Sequence, residues 1–194
     1  MRSIKNSMVN VGMTAQDIIA FWQTAGPSKW FAKDEAFDRS IREGFEALHM
    51  QASHGELTDW AATPKGALAL LILLDQFPRN LYRGSAHAFA TDPQAYAIAR
   101  RSLAAGLDRK VAPELQPFFY LPFEHSERIE DQDRAVELCA AHRDATGDKS
   151  TYDWAILHRD IIRRFGRFPH RNRCLGRVTT PEEQAYLDGG GFSG

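Results

Sequence analysis

The feature that most constrains the fold is an uninterrupted apolar run at residues 67–74, ALALLILL. A helix built from it is apolar on every side, and such a helix must be buried. Thr63 and Pro64 precede the run and mark a helix start, because a threonine hydroxyl caps the first turn and proline suits the first helical position. Since a bilayer span takes about 20 residues, the run predicts a core helix, ended by Pro78, rather than a membrane helix. Nearly full burial is expected for Leu70, Leu71, Ile72 and Leu74.

Helix signals recur along the rest of the chain, whereas no segment shows the sustained alternation of a strand. Apolar stripes at three- to four-residue spacing run through residues 37–48 and 154–165. The sequence therefore predicts an all-α fold of about eight helices in one domain, residues 14–190. Residues 1–13 are expected to be a flexible N-terminal tail and residues 191–194 a flexible C-terminus.

Composition narrows the class of protein. The chain has 194 residues, a formal net charge of −1, 25% charged and 43% hydrophobic residues, which are globular proportions. The near-neutral charge argues against nucleic-acid and anionic-membrane partners. Cys139 and Cys174 lack CxxC or Cys/His spacing, so no metal or cofactor is expected, and two free thiols favour the cytoplasm. The N-terminus has no apolar segment typical of a secretory signal.

The densest chemical signal is the arginine-rich stretch, residues 158–177, with a formal charge of +6. Guanidinium groups bind phosphate and carboxylate in a bidentate way, so the stretch favours an anion site. The alternative is a set of internal ion pairs, and the sequence leaves both interpretations open. The acids available as partners are Asp75, Glu124, Glu127, Asp153 and Asp160.

Asp75 follows the apolar run closely, so its carboxylate is expected to be buried and to need a cation. Arg79 is four residues away, and Arg163, Arg164 or Arg167 are further candidates. Charge balance therefore predicts that segments 75–84 and 165–177 lie side by side. The remaining cations would form a basic pocket rimmed by Phe77, Phe119 and Phe168.

A short echo links these two segments. Phe77-Pro78-Arg79-Asn80 and Phe168-Pro169-His170-Arg171-Asn172 each follow a helix. In both copies arginine and asparagine can satisfy the free carbonyls at the helix end. A further cluster, Glu124-His125-Ser126-Glu127, could carry acid/base chemistry, although adjacent helical residues point about 100° apart.

The chain resembles the DUF924 family, an uncharacterised group of proteins. The matching segments are FW (21–22), WF (30–31), LALLILLDQFPRNLYRG (68–84), AFATDPQA (88–95), FFYLPFEHSE (118–127), FGRFPHRNRCLGR (165–177) and TPEEQAYL (180–187). The resemblance implies a tetratricopeptide-like α–α superhelix and implies no activity, so any function drawn from it would rest on analogy of fold.

We therefore predict a binding scaffold with a basic Arg/His pocket for an anionic small ligand or a protein partner. One alternative is an enzyme that uses His125 or His170 as acid/base at an Arg-lined phosphate or carboxylate site. A second is an interaction module whose arginines are purely structural. The sequence leaves the oligomeric state open. The predicted binding residues are Asp75, Arg79, Asn80, Arg83, His125, Glu127, Arg167, His170, Arg171 and Asn172.

Overall fold

The computed structural model describes residues 12–194, and all regular secondary structure within that range is helical. The all-α prediction is confirmed. The helices are α1 (Ala15–Ala25), α2 (Pro27–Trp30), α3 (Glu35–Ser53), α4 (Pro64–Leu71), α5 (Phe77–Leu81), α6 (Asp92–Ala104), α7 (Leu121–Glu124), α8 (Ile129–Thr146), α9 (Lys149–Phe165) and α10 (Pro181–Asp188). Short 3-10 turns connect several of them. Most of the predicted N-terminal tail, residues 1–11, lies outside the described residues.

The apolar run forms the central helix. Thr63 Oγ1 accepts a hydrogen bond from Gly66 N at 3.1 Å, and Pro64 occupies the first turn, as predicted. At most 2% of the surface of Leu70, Leu71, Ile72 and Leu74 is exposed, which confirms their predicted burial. Around them packs an aromatic cluster that contains Trp22, Phe45, Phe77 and Phe118.

The prediction that Pro78 ends the central helix is wrong. After α4 the chain makes a π-helical turn, Ile72–Gln76, and continues into α5 with Pro78 in its first turn. A proline removes the hydrogen bond to the carbonyl four residues earlier, here that of Leu74. The hydroxyl of Thr91 donates to this carbonyl at 2.5 Å and replaces the lost bond. A tertiary contact therefore allows the helical path to continue.

The α8–α9 hairpin positions the arginine-rich stretch. Only two residues separate the helices, which pack closely on each other. The carboxylate of Asp148 accepts hydrogen bonds from the first-turn amides of α9 and so starts that helix. Beyond α9, the fully buried Phe168 packs with Ile161 and Ile162 in a second, smaller apolar core. The loop that carries residues 169–172 is anchored on this core.

Cys139 is buried, Cys174 is half-buried and neither forms a disulfide, which confirms the prediction of free thiols. Among the described helices, none is long and apolar enough to cross a membrane. The flexibility expected for residues 191–194 stays a prediction, and the structure places Phe192 against His158 and His170.

Candidate functional site

The predicted site residues separate into groups that surround different acids. Six residues, called the central cluster below, meet between α5, α6, α7 and the loop after α9. They are Asp75, Arg79, Asp92, His125, His170 and Arg171. Asn80 and Arg83 lie at Asp38, and Arg167 and Asn172 lie at Glu183. The single basic pocket predicted from the sequence is therefore not formed by all ten residues.

At the centre of the cluster, the buried carboxylate of Asp75 and the half-buried imidazole of His125 form a dyad. The Asp75 carboxylate comes from the π-helical turn, is 1% exposed, and lies 2.8 Å from His125 Nδ1. Burial alone raises the pKa of Asp75, but Arg79 and His125 outweigh it and lower this pKa to about 2. Burial and then the nearby Arg79 lower the pKa of His125. His125 is therefore neutral at pH 7, and its Nδ1–H donates to the ionised Asp75.

Two arginines flank this dyad on either side of Asp92. Arg79 donates to both carboxylate oxygens of Asp92, at 3.1 and 3.2 Å, and lies 3.3 Å from Asp75 Oδ1. Arg171 donates to the backbone carbonyl of His125 at 3.0 Å but lies 3.9 Å from Asp92 Oδ2. Arg79 thus forms close ion pairs with both Asp75 and Asp92, whereas the ion pair of Arg171 with Asp92 is long.

The Arg171 guanidinium is held by aromatic rings. Its carbon lies 4.4 Å from the ring centre of Phe168 and 4.8 Å from that of Phe89, distances typical of cation–π contacts. These rings exclude water, so the residue is only 6% exposed. Burial, and then repulsion from Arg79, lower the pKa of Arg171 to about 10. The fold therefore buries a cation whose closest ion pair, with Asp92 Oδ2, is 3.9 Å long.

Unpartnered polar atoms concentrate at this loop. Within the described part of the chain, five buried side-chain nitrogen or oxygen atoms lack a hydrogen-bond partner. Three of them belong to consecutive residues: His170 Nδ1, Arg171 Nε and Asn172 Oδ1. Burial, and then the charge of Arg171, lower the pKa of His170 to about 3, so this imidazole is neutral. Since buried polar atoms are nearly always hydrogen-bonded, such a run is unusual for a purely structural loop.

The sequence echo has a structural counterpart. Its two arginines, Arg79 and Arg171, converge on Asp92, while its two asparagines point to separate acids. Asn80 Nδ2 donates to Asp38 at 2.8 Å, and Asn172 Nδ2 donates to Glu183 at 3.1 Å. Each acid also accepts two hydrogen bonds from one arginine. Arg83 donates to Asp38, and Arg167 donates to Glu183. Asn80, Arg83, Arg167 and Asn172 thus brace helix starts rather than line the central cluster.

Glu127 also has a structural role, because it holds Arg177 and the backbone of Phe168. Arg177 donates two hydrogen bonds to its carboxylate, each 2.8 Å long, and the backbone N–H of Phe168 donates a third at 2.9 Å. Burial opposes ionisation of Glu127, but these contacts prevail and lower its pKa. This clasp fixes the start of the loop that presents His170 and Arg171.

Internal ion pairs absorb most of the charge of the arginine-rich stretch. Five of its seven arginines lie within 3.3 Å of a carboxylate: Arg159 at Asp160, Arg163 at Asp133, Arg164 at Glu182, Arg167 at Glu183 and Arg177 at Glu127. The structural interpretation therefore accounts for these five. Arg171 differs from these five because it is buried and its ion pair with Asp92 is 3.9 Å long.

Two expectations about the pocket are wrong. Asp75 pairs with Arg79, the nearest of its predicted partners, at 3.3 Å, and not with the further candidates Arg163, Arg164 or Arg167, which pair with other acids. The two segments approach each other at Asp92, beside which both Arg79 and Arg171 lie. Phe77 and Phe119 are fully buried in the main core and do not rim a pocket, whereas Phe168 does contact the cluster. Aromatic residues in the sequence could not be divided between core and rim by spacing alone.

A second histidine–carboxylate pair adjoins the cluster and was missed in the sequence. His158 Nδ1 lies 2.8 Å from Glu124 Oε1, and both residues are buried. The ring centres of His158 and His125 are 6.5 Å apart. Asp92 and Phe89 were also missed as site residues, although both belong to AFATDPQA, one of the segments behind the family resemblance.

Two surface cavities lie away from the central cluster. One surface cavity of about 360 Å³ is lined by Asp38, Asn80, Arg83 and neighbouring residues, and another of about 450 Å³ lies beside Trp154 and Leu157. Neither is lined by a residue of the central cluster. Across residues 12–194, no group of three or more His, Cys, Asp or Glu side chains is placed to hold a metal ion.

Comparisons with known proteins agree with the fold. The model of a family described as "Bacterial protein of unknown function (DUF924)" matches residues 18–191. A solved structure of a protein of unknown function from Agrobacterium tumefaciens is 47% identical, with a TM-score of 0.84, covering 90% of this chain and 97% of that one. No curated protein matches the chain. Because both matches are to proteins of unknown function, the function must be argued from the site.

Proposed function

We propose that this chain, which belongs to the DUF924 family, binds a small anion, a phosphate or a carboxylate, at Arg171 in the central cluster. The observation that carries the proposal is the buried guanidinium of Arg171, whose Nε lacks a partner beside the equally unpartnered Nδ1 of His170. A bound anion would satisfy the Nε–H and give Arg171 a closer oxygen contact than the 3.9 Å to Asp92 Oδ2. The protein is then a binding scaffold with one anion site.

The chemistry of these groups suits an oxyanion. An arginine presents two parallel N–H donors that match two oxygens of a phosphate or carboxylate. His170 is neutral, so its Nδ1 can donate to a third oxygen without adding charge. The low polarity created by Phe89 and Phe168 strengthens such contacts relative to contacts in water.

Thermal unfolding in inorganic phosphate tests the proposal. A ligand bound to the folded state stabilises it by RT ln(1 + [L]/Kd), about 2.7 kcal/mol at a hundred times Kd. We expect Tm to rise with phosphate, to rise less in potassium chloride of equal ionic strength, and to rise less when added salt screens the anion. Arg171→Met should abolish the phosphate effect.

Arg163→Met is the matched control, because Arg163 belongs to the same stretch but pairs with Asp133 at the surface, where both side chains are about half exposed. This variant should respond to phosphate as the wild type does. If Arg171→Met does not fold, Arg171→Lys replaces it, since lysine keeps the charge and loses the paired donors. A phosphate response that survives in the Arg171 variants would refute the proposal.

An enzyme at the same cluster is the second candidate, and the Asp75–His125 dyad favours it. A carboxylate on Nδ1 fixes the imidazole so that Nε2 can exchange a proton with a bound substrate. Because its pKa is about 3, the imidazole of His170 is neutral at pH 7 and could act only as a proton acceptor, not as an acid. Hydrolysis of p-nitrophenyl phosphate tests this candidate: His125→Gln should abolish it, and His54→Gln, at an exposed histidine, should not.

The finer assignments drawn from the sequence belong to the same proposal. The closely packed α8–α9 hairpin supports a tetratricopeptide-like arrangement of helices, and the two free thiols support a cytoplasmic location. The paired arginines of the stretch support the third interpretation, an interaction module that binds a protein partner. That interpretation would replace anion binding if phosphate stabilised neither the wild type nor Arg163→Met.

A further inference from the structure

The ring of Phe192 fills an aromatic slot next to the anion site. We propose that this slot is the subsite for an aromatic group of the ligand, so that the bound anion is an aryl phosphate or aryl carboxylate that displaces residues 189–194. These six residues are called the strap below. The inference rests on the proposed anion site at Arg171.

The slot consists of three ring systems around Phe192. The ring centre of Phe192 lies 4.6 Å from that of His158, 5.0 Å from that of His170 and 6.0 Å from that of Trp154. The interplanar angles with the two histidines, 74° and 90°, are the edge-to-face arrangement that aromatic pairs prefer. The slot is therefore already shaped for a flat ring.

Phe168 connects the slot to the anion site. Its ring centre lies 5.5 Å from that of His158 and 5.6 Å from that of His170. The guanidinium carbon of Arg171 lies 4.4 Å from the same Phe168 ring centre. A ligand that places its ring in the slot thus has its charged group directed past His170 toward Arg171. One molecule with both parts would satisfy the slot and the unpartnered donors together.

The strap is held by few contacts. The backbone of the strap donates hydrogen bonds to α10. Gly189 N donates to Ala185 O, Gly190 N to Leu187 O, Gly191 N to Tyr186 O, and Phe192 N to Tyr186 Oη, at 2.9 to 3.2 Å. A Cβ added at Gly194 would lie 3.1 Å from the His170 ring, so the end of the strap also approaches this ring. The Phe192 side chain is the part of the strap that occupies the slot, and a ligand ring can compete with it.

The slot also has a route to solvent. Trp154 is 49% exposed and lines the surface cavity of about 450 Å³ that lies along α9. Release of Phe192 would join this cavity to the slot.

Isothermal titration with inorganic phosphate and with phenyl phosphate tests the inference. Phe192→Ala removes the competing ring, so the Kd of phenyl phosphate should fall by about tenfold or more, as expected for burial of an aromatic ring. The Kd of inorganic phosphate should change much less. Phe31→Ala, at a phenylalanine that is 69% exposed, is the control and should leave both values unchanged.

Gly191→Ala gives an independent test with Phe192 retained. A Cβ at position 191 would lie 2.5 Å from the Tyr186 ring and 2.6 Å from its carbonyl oxygen, so alanine forces the strap away. This variant should also favour phenyl phosphate. In the wild type, phenyl phosphate should speed hydrogen exchange of the Phe192 amide, and inorganic phosphate should not.

The outcomes separate this inference from the proposed function. If phosphate binding depends on Arg171 but phenyl phosphate gains no preference in Phe192→Ala or Gly191→Ala, the aromatic subsite is refuted and the anion site stands. If both anions bind more tightly by the same factor, the strap is only a cover, and the subsite is refuted as well. If neither anion binds wild type or variants, both proposals fail.

Discussion

Replacing Asp75 with asparagine tests the electrostatic account of the central cluster. The substitution keeps the shape of the side chain and removes the charge that faces Arg79 and His125. Asparagine can still accept one hydrogen bond from His125 Nδ1, so the change isolates the value of the ionised carboxylate. Arg79 keeps its two hydrogen bonds to Asp92, and this half-buried cation is therefore not left entirely unpaired.

The size of the effect follows from the pKa. The pKa of Asp75 falls from 3.8 to about 2 on folding. Since a pKa difference of one corresponds to about 1.4 kcal/mol, the ionised carboxylate contributes about 2 kcal/mol to the free energy of unfolding at pH 7. Loss of one partner from a buried ion pair costs about 3–5 kcal/mol when the other charge is left alone. Because Arg79 retains Asp92, we expect a loss of about 2–3 kcal/mol.

Urea unfolding at pH 7 measures this loss, with Asp133→Asn at an exposed ion pair as the control. The control should change the free energy of unfolding by less than about 1 kcal/mol. A group with a lowered folded-state pKa stabilises above its unfolded pKa, and this stabilisation disappears as pH falls. The advantage of the wild type over Asp75→Asn should therefore shrink between about pH 5 and pH 2. A loss below 1 kcal/mol, or a constant difference over that range, would refute the reasoning.

Three further predictions concern packing and thiol reactivity. Leu71→Ala, at a fully buried side chain, should lower the free energy of unfolding by about 2–5 kcal/mol in urea; a loss under about 1 kcal/mol would show that this helix face is open. Gly66→Ala should cost about 1–3 kcal/mol and lower Tm, since its Cβ would lie 2.1 Å from Trp60 O, and an unchanged Tm would contradict this close approach. Ellman's reagent should label Cys174 in the folded protein and Cys139 only in urea, because burial raises the pKa of the Cys139 thiol; rapid labelling of two thiols in the folded state would disprove it.

The candidate site was only partly predictable. The sequence singled out Asp75, Arg79, His125, His170 and Arg171, because it shows acids and cations close to helix ends. It could not show that Asp92 stands between the two arginines. The partners of the dyad, Asp75 and His125, are 50 residues apart in the chain, so their contact depends on how the helices pack.

The same limit explains why Arg83 and Arg167 were assigned to the pocket. Each is an arginine in a matching motif, and in composition neither differs from Arg171. Arg83 binds Asp38, 45 residues earlier, and Arg167 binds Glu183, 16 residues later. An arginine pairs with the carboxylate that lies nearest to it in the folded chain. The sequence gives the charges but not the distances between them.

The helices themselves were determined by the sequence, because capping, apolar periodicity and proline at a first turn act within a few residues. Tertiary structure decided two matters that local rules cannot reach. It carried the central helix through Pro78, since the Thr91 hydroxyl, 17 residues from Leu74, supplies the donor that proline lacks. It also buried Arg171 between two rings, 3.9 Å from the carboxylate of Asp92, because desolvation and ion pairing arise only when distant segments pack together.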